Sequence, residues 1–282
     1  MLDIPLHLNC KGQLLSLETP ILMGILNVTP DSFYDGGRYH QVDAALRQAE
    51  RMITEGASII DIGGMSSRPG APIIETEEEL RRVLPTIQKI KQHFPEIIIS
   101  IDTVKAAVAQ AAVDAGASMV NDISAGKLDA DLYPTVARLG VPYILMHMQG
   151  KPASMQDRPE YDDIKQEMLD FFAKEIAALT ALGVKDILID PGFGFGKTLD
   201  NNYDLLANLE VFRILRRSIL IGVSRKSMIY KFLGIKAEAA LNGTSALHLF
   251  ALQKGAKILR VHDVGAANEV LRLWQQLEQS RL

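Results

Sequence analysis

Short apolar runs rich in β-branched residues alternate with longer stretches of helical periodicity along almost the whole chain. This alternation is typical of strand–helix units repeated around a parallel sheet, so the sequence predicts an α/β protein. The eight predicted strands lie at 21–28, 59–63, 97–102, 119–123, 143–148, 187–190, 220–224 and 258–262. Helical patterns between or after them include 42–55, 76–93, 105–115, 163–182, 239–254 and 266–278.

Glycines stand where the predicted helices end. Five of them come a few residues before a strand, namely Gly56, Gly116, Gly140, Gly183 and Gly255. Glycine readily adopts the left-handed conformation that stops a helix. Eight units in about 260 residues favour a closed (β/α)8 TIM barrel over a doubly wound sheet, which usually has fewer strands and a Gly-rich first turn.

The chain of 282 residues is 48% hydrophobic, which is enough to bury a large core. Barrels of roughly 250 residues commonly form one domain, so we expect residues 1–282 to be a single domain. Residues 1–20 precede the first unit. Their alternation around Lys11 and Gly12 predicts a short β-hairpin that caps the bottom of the barrel.

Charge and cysteine content narrow the class of partner. The net charge of -4, without a run of like charges, provides no surface for nucleic acid and favours a small-molecule substrate. Every apolar stretch is shorter than the roughly 18 residues that cross a bilayer, so no membrane partner is expected. Cys10 cannot form an internal disulfide, and residues 1–5 lack the features of a signal peptide, so we expect a cytoplasmic protein.

Polar residues stand at the C-terminal end of every predicted strand. Active sites of barrels lie at that end, although any single polar residue there can instead cap a helix or bind a loop amide. Their occurrence at all eight strands favours an active site. The residues are Asn27, Asp61, Asp102, Asn121, Asp122, His147, Asp190, Ser224, Arg225, Lys226, Arg260 and His262.

These side chains fall into two chemical groups. Asp102, Asn121 and Asp190 suit a neutral heterocycle, because carboxylates accept from ring N–H groups while asparagine both donates and accepts. Arg68, Arg260 and His262 are donors for a phosphate or carboxylate. Arg260 and His262 follow the eighth strand, where barrels often bind phosphate, although an ion pair of Arg260 with Asp263 or a neighbouring acid is the structural alternative.

The segment 192–197, with the sequence GFGFGK, resembles a Walker A loop, but only three residues separate its outer glycines. We expect these glycines to let the loop approach a ligand and to expose Phe193 or Phe195 for stacking, with core packing as the alternative. The six histidines show no metal-ligand spacing. A weakly bound Mg²⁺ that bridges a diphosphate needs little more than Asn27 and water.

Eight strings at these positions resemble the signatures of the dihydropteroate synthase family along nearly the whole chain. They read MGILNVTPDSFYDGG at 23–37, DIGGMSSRPG at 61–70, SIDTVK at 100–105, NDI at 121–123, MHMQG at 146–150, DPGFGFGK at 190–197, GVSRKSM at 222–228 and RVHD at 260–263. The resemblance implies a sulfonamide-target enzyme that joins hydroxymethyl-dihydropterin diphosphate to para-aminobenzoate, with release of pyrophosphate.

The resemblance also implies roles for individual residues. Pterin contacts fall on Asp102, Asn121, Ile123, Met146, Asp190, Gly222 and Lys226, and diphosphate contacts on Asn27, Arg68, Arg260 and His262, with Mg²⁺ at Asn27. The aminobenzoate pocket falls on Phe33, Ser67, Arg68, Pro69, Phe195 and Ser227. Catalysis falls on Asp35, Asp102, Lys226 and Arg68. The family also implies a homodimer through the outer helices near the C-terminus.

The chain departs from the family pattern in one loop. Met65 replaces an acid, and Ser67 replaces threonine, which keeps the hydroxyl but removes a methyl. Loss of the acid removes a possible partner of Arg68 or of a loop amide. Two other readings stay open: a pterin-dependent methyltransferase, which has no use for the 67–69 loop, and a pterin-binding paralogue without catalytic activity.

Overall fold

The computed structural model describes residues 4–29, 38–65, 74–150 and 159–280. The described residues form a two-stranded antiparallel hairpin, β1 (His7–Cys10) with β2 (Gln13–Ser16), followed by eight parallel strands. These strands are β3 (Ile21–Asn27), β4 (Ile59–Gly63), β5 (Ile98–Asp102), β6 (Met119–Asp122), β7 (Tyr143–Met146), β8 (Ile187–Asp190), β9 (Ile219–Ile221) and β10 (Ala256–Val261).

The eight parallel strands close into a barrel in chain order, with β10 paired to β3. At the closure Ile258 lies opposite Ile21, and Arg260 lies opposite Met23. The predicted (β/α)8 barrel with an N-terminal hairpin is therefore confirmed. Differences at strand ends are small, such as β9, which ends at Ile221 instead of continuing to 224.

Nine α-helices in the described residues surround the barrel. They are α1 (Arg38–Thr54), α2 (Thr76–His93), α3 (Ala106–Asp114), α4 (Leu132–Leu139), α5 (Ile164–Ala181), α6 (Leu199–Ala207), α7 (Ser227–Leu233), α8 (Leu241–Gln253) and α9 (Val264–Gln279). The sequence patterns did not specify α4, α6 and α7, because 7 to 9 residues are too few for a clear apolar period. Within the described ranges, no helix combines the length and apolar character needed to span a membrane.

The predicted glycine stops are confirmed. All five glycines at the αβ turns have positive φ, from 63° at Gly140 to 122° at Gly116. A residue with a Cβ is strained in this conformation, so glycine ends each helix sharply and directs the chain to the next strand.

The lower half of the barrel interior is apolar. One side chain from each barrel strand contributes to a buried cluster: Met23, Ile59, Ile98, Met119, Ile144, Leu188, Leu220 and Ile258. Leu8, Cys10 and Leu17 from the hairpin region belong to the same cluster, so the hairpin covers the N-terminal end of the barrel. Because side chains alternate along a strand, polar residues two positions later also point inward, nearer the C-terminal end.

Asp122 holds the turn after β6. Its buried carboxylate accepts from the backbone N–H and hydroxyl of Ser124 at 2.7 Å each, the N–H of Gly126 at 2.7 Å and the hydroxyl of Tyr143 at 2.6 Å. Burial raises the pKa of Asp122, and these donors oppose that shift. The turn carries Ile123, so this network fixes the backbone beside the mouth of the barrel, which is the opening at the C-terminal ends of its parallel strands.

We predict that Asp122→Asn lowers the free energy of unfolding by about 2–4 kcal/mol, because an amide NH2 then faces N–H and O–H donors in a buried site. Urea denaturation measures the effect. Asp131→Asn is the matched control, since Asp131 is exposed and its side chain makes no cap hydrogen bond. A loss below about 0.5 kcal/mol, the usual scatter for surface substitutions, would show that the network contributes little to stability.

Candidate active site

Two ion pairs that share the guanidinium of Arg260 link three strands at the upper half of the barrel. Nε of Arg260 on β10 lies 2.7 Å from Oδ2 of Asp61 on β4, and its Nη2 lies 2.7 Å from Oδ2 of Asp102 on β5. Asp263, one of the partners that the structural alternative allowed for Arg260, binds Arg225 instead at 2.7 Å. The structure therefore contradicts the pairing of Arg260 with Asp263 and shows the pairing with neighbouring acids.

Burial and the charge of the partner have opposite effects on the pKa values of Asp102 and Arg260. Burial raises the pKa of Asp102, while the Arg260 guanidinium lowers it and the Asp61 carboxylate raises it further. Burial lowers the pKa of Arg260, but Asp61 and Asp102 together hold it above its ordinary value. The cluster thus combines a permanently charged guanidinium with a carboxylate that binds a proton more readily than an ordinary aspartate.

Asn121 extends the cluster to β6. Its Nδ2 donates to Oδ2 of Asp61 at 3.0 Å, and the register places Asn121 opposite Asp102. The Asn121 residue is only 3% exposed. The structure therefore brings Asp102, Asn121 and Arg260 together at the barrel mouth, where the sequence predicted them. They surround Asp61, to which the sequence analysis assigned no role.

Asp190 and Lys226 lie on the opposite wall of the barrel mouth. Oδ1 of Asp190 accepts from the N–H of Gly192 at 2.7 Å. Nζ of Lys226 donates to the carbonyl of Phe193 and lies 4.4 Å from the centroid of the Phe195 ring. Burial lowers the pKa of Lys226 to about 8, although the negative charge of Asp190 opposes the shift.

The two phenylalanines of the 192–197 loop differ in location. Phe193 is fully buried in the main core, so the core-packing alternative holds for it. Phe195 is half-buried and packs against the cluster at the barrel mouth. The loop approaches β7 closely, because a Cβ at Gly192 would collide with the carbonyl oxygen of His147, and Gly192 has a φ of +67°.

Lys197 fastens this loop from within. Its Nζ donates to the carbonyls of His147 at 3.2 Å, Gly192 at 3.0 Å and Phe195 at 3.0 Å, and lies 3.0 Å from Nδ1 of His147. Burial lowers the pKa of Lys197 to about 7. His147 itself packs edge-on against Phe171, with ring centroids 4.9 Å apart. His147 therefore supports the loop and is buried away from the mouth.

An apolar wall completes the mouth. It contains Val104, Ile123, Met146 and Met148, with Met65, Leu128 and Phe195 packed against them. The structure thus brings together Ile123, Met146 and Phe195, three of the predicted contacts. Met65 stands where the family has an acid, and its side chain joins this apolar cluster, which gives the substitution a packing role.

The remaining predicted residues of the described chain lie around the rim. Asn27 ends β3, and its Oδ1 lies 3.4 Å from where a Cβ on Gly63 would be, beside Asp102. His262 follows β10, is exposed, and its Nδ1 lies 3.1 Å from Oγ of Ser224. Although much of the residue is exposed, partial desolvation of the side chain lowers the pKa of His262, and the positive charge of Arg260 lowers it further. Gly222 follows β9, and Ser227 begins α7.

Five predicted site residues, Phe33, Asp35, Ser67, Arg68 and Pro69, lie outside the described residues. Two others emerge only from the structure. Asp61 was noted as a strand-end acid without a role, and Lys197 as the end of a false nucleotide motif. Both are charged and buried, at 0% and 3% exposure. The available signal for Asp61 was a charged residue inside an apolar strand, and no comparable signal marked Lys197, which lies seven residues after β8.

The chain belongs to the pterin binding enzyme family, because the model of that family matches residues 23–262. Its relatives include several dihydropteroate synthases. The protein is 43% identical to the dihydropteroate synthase of Haemophilus influenzae, over 96% of this chain and 98% of the relative. It is 44% identical to that of Escherichia coli strain K12, over 95% of each. The predicted family resemblance is confirmed.

Solved structures of dihydropteroate synthases have the same fold as this chain. The dihydropteroate synthase of Xanthomonas albilineans with 4-aminobenzoic acid has a TM-score of 0.91 and 44% identity, over 97% of this chain and 98% of that one. The same enzyme in complex with 7,8-dihydropteroate has a TM-score of 0.87 and 41% identity, over 96% of this chain and 98% of that one. The solved structures of that enzyme thus hold 4-aminobenzoic acid in one case and 7,8-dihydropteroate in the other.

We predict that Lys197→Met destabilises the protein by about 1–3 kcal/mol, because buried carbonyls lose their donor. Pterin affinity should also fall by about threefold to tenfold, since the released loop carries the Phe193 carbonyl that binds Lys226. Calorimetric titration with a pterin and urea denaturation measure the two effects. Lys174→Met, at an exposed position of α5, is the control.

The lowered pKa of Lys197 gives this prediction a pH dependence. Between pH 7 and the ordinary lysine pKa of about 10.4, the unfolded chain binds more protons at this group than the native protein does. Wild-type stability should therefore rise with pH relative to Lys197→Met across that window. A constant difference between the two would contradict a depressed pKa at Lys197.

Proposed function

We propose that this protein catalyses the dihydropteroate synthase reaction. In it, the amine of para-aminobenzoate replaces pyrophosphate on the exocyclic methylene of hydroxymethyl-dihydropterin diphosphate. The observation that carries the proposal is the contact between the residues suited to a heterocycle and the residue suited to an anion. Asp102 and Asn121, which suit donors on a heterocycle, share a hydrogen-bonded cluster with Arg260, which suits the leaving anion.

The bond changes match this arrangement. The carbon–oxygen bond of the methylene breaks with its electron pair on pyrophosphate, the aryl amine nitrogen bonds to the carbon, and the amine proton passes to solvent. The pterin bears positive charge as the bond breaks, and the fixed carboxylates of Asp102 and Asp190 stabilise it electrostatically. Arg260 and His262 face the charge that develops on pyrophosphate.

Lys226 orients the ring. Its Nζ lies between the Phe193 carbonyl and the Phe195 ring, at the mouth and near Asp190. An ammonium there donates to ring acceptors, while Asp190 accepts from ring N–H groups. The apolar wall of Ile123 and Met146 covers one side of the ring and keeps water from it.

Mg²⁺ is part of the proposal. Among the described residues no three His, Cys, Asp or Glu side chains form a metal cluster. The donors near the rim are the Asn27 amide and the Asp102 carboxylate, both beside Gly63. Such oxygen donors fit a cation whose other ligands are diphosphate and water, and the bound ion would neutralise charge on the leaving group.

The aminobenzoate site, the assembly and the location are also proposed. Phe33, Ser67, Arg68 and Pro69 would form that site with Phe195 and Ser227, and Asp35 and Arg68 would act in catalysis. A homodimer through the outer helices is supported by exposed Phe250 on α8 and Leu273 and Leu277 on α9, at 37%, 65% and 51%. A single buried cysteine is consistent with a cytoplasmic location.

A turnover assay tests the function. The purified protein, with the pterin diphosphate, para-aminobenzoate and Mg²⁺, should produce 7,8-dihydropteroate and pyrophosphate in equal amounts. Pterin binding without turnover would instead indicate a non-catalytic paralogue. Methyl transfer to or from a pterin, without use of para-aminobenzoate, would indicate a methyltransferase.

We predict that His262→Ala lowers kcat by about tenfold or more, because one donor to the leaving pyrophosphate is lost. Binding of a pterin without diphosphate should stay within about threefold of wild type, because His262 does not contact Asp102, Asn121 or Asp190, which would bind the pterin ring. Arg272→Ala, exposed on α9, serves as control. Equal loss of turnover and pterin affinity would mean that His262 only supports the fold.

A further prediction concerns the metal. Asn27→Ala should raise the Mg²⁺ concentration for half-maximal turnover by about tenfold, because the protein loses the amide ligand at the rim. Titration of Mg²⁺ into the assay measures this. Asn9→Ala, in the hairpin at the opposite end of the barrel, is the control. An unchanged Mg²⁺ requirement would remove Asn27 from the metal site.

A further inference from the structure

Asp61 lies inside the barrel, two residues before Gly63 on β4. It is 0% exposed, and one of its oxygens, Oδ2, accepts from both Asn121 Nδ2 at 3.0 Å and Arg260 Nε at 2.7 Å. Within the described residues its other oxygen, Oδ1, has no hydrogen-bond partner. The hydrogen bonds that Asp61 accepts thus come from two residues of the proposed substrate site.

A carboxylate only accepts hydrogen bonds, which restricts the Asn121 amide. The nitrogen of the amide must face Asp61, so the amide oxygen faces away from it. A flipped amide would place oxygen against oxygen in a buried site and would lose the hydrogen bond. One of the two N–H groups of the Asn121 amide is therefore engaged by Asp61, and the orientation of the amide, with its nitrogen toward Asp61, is fixed.

We propose that Asp61 is a positioning residue that makes Asn121 an acceptor toward the pterin ring. The inference rests on the proposed function, since the ligand is a pterin. With Asn121 oriented in this way, Asp102, Asn121 and Asp190 all present oxygen acceptors at the mouth. The ring edge that they select carries N–H and NH2 donors.

The same oxygen of Asp61 also ties the ring-reading side chain to the leaving-group cation. Because Oδ2 binds both Asn121 and Arg260, a shift of either donor moves the shared acceptor. A role as counterion of Arg260 alone is the competing explanation. It predicts that removal of Asp61 acts equally whether or not Asn121 is present.

The first test compares two substitutions of Asp61 by calorimetric titration with 6-hydroxymethylpterin, which lacks the diphosphate. Asp61→Asn keeps an acceptor oxygen for both donors and should bind within about threefold of wild type. Asp61→Leu, of similar size, should bind about tenfold more weakly or worse, because the Asn121 amide is free to rotate. Equal affinities for the two variants would overturn the proposal.

Ser100→Ala is the matched control. Ser100 pairs with Asp61 in the strand register, is 0% exposed, and its hydroxyl has no partner within the described chain. Its removal should leave pterin affinity within about twofold of wild type, since it orients no site residue. A loss as large as that of Asp61→Leu would mean that any polar deletion in this layer disturbs the site.

A double-mutant cycle separates positioning from the counterion role. In the Asn121→Ala background, Asp61→Leu should weaken binding by less than about twofold, because the residue that it orients is absent. A further tenfold loss in that background would show that Asp61 acts through Arg260 or the fold instead.

The swapped pair covers the case in which Asp61→Leu does not fold. Asn121→Asp alone places two carboxylates in contact and should bind weakly, whereas Asp61→Asn with Asn121→Asp restores an amide–carboxylate hydrogen bond with an acceptor toward the ring. The pair should recover at least about tenfold of the affinity lost by Asn121→Asp. No recovery overturns the proposal. Failure of wild type to bind the pterin would instead refute the proposed function.

Discussion

One guanidinium, that of Arg260, holds two carboxylates together in the upper barrel, and the proposed substrate site is built around it. Asp61 and Asp102 would repel each other at this burial without the cation, and Arg260 would be a buried unpaired charge without them. Breaking such a buried pair costs about 3–5 kcal/mol. The cluster is therefore fixed by the protein before a ligand arrives, which limits the rearrangement required on binding.

The alternation of side chains along each strand separates stability from chemistry within the same barrel. Ile59 belongs to the apolar lower layer and Asp61, two residues later, to the polar cluster, and the same step leads from Ile258 to Arg260. The hairpin seals the apolar end. Polar side chains accumulate at the other end because the parallel strands all point their carboxyl ends that way.

The sequence predicted the strands well because each apolar run is short, β-branched and bounded by turn residues, and α2 was predicted from Thr76 to His93 as observed. The site was predicted only as a set of residues. The partners in its hydrogen bonds are 199 residues apart for Arg260 and Asp61 and 60 apart for Asn121 and Asp61, so no local pattern reveals them. Phe193 and Phe195 show the same limit, because two phenylalanines in one glycine-rich string have different environments.

The engaged amide of Asn121 bears on selection among bicyclic nitrogen heterocycles in the cell. Three oxygen acceptors at one mouth match a ring that carries an amine next to a ring N–H, as in a pterin or in guanine. Adenine presents a bare ring nitrogen next to its amine, and that lone pair would meet a carboxylate or amide oxygen in a dry pocket. If the site binds a pterin as proposed, it would reject purine metabolites of the adenine type by electrostatic mismatch. It would discriminate guanine-like compounds by shape and by their lack of a methylene diphosphate.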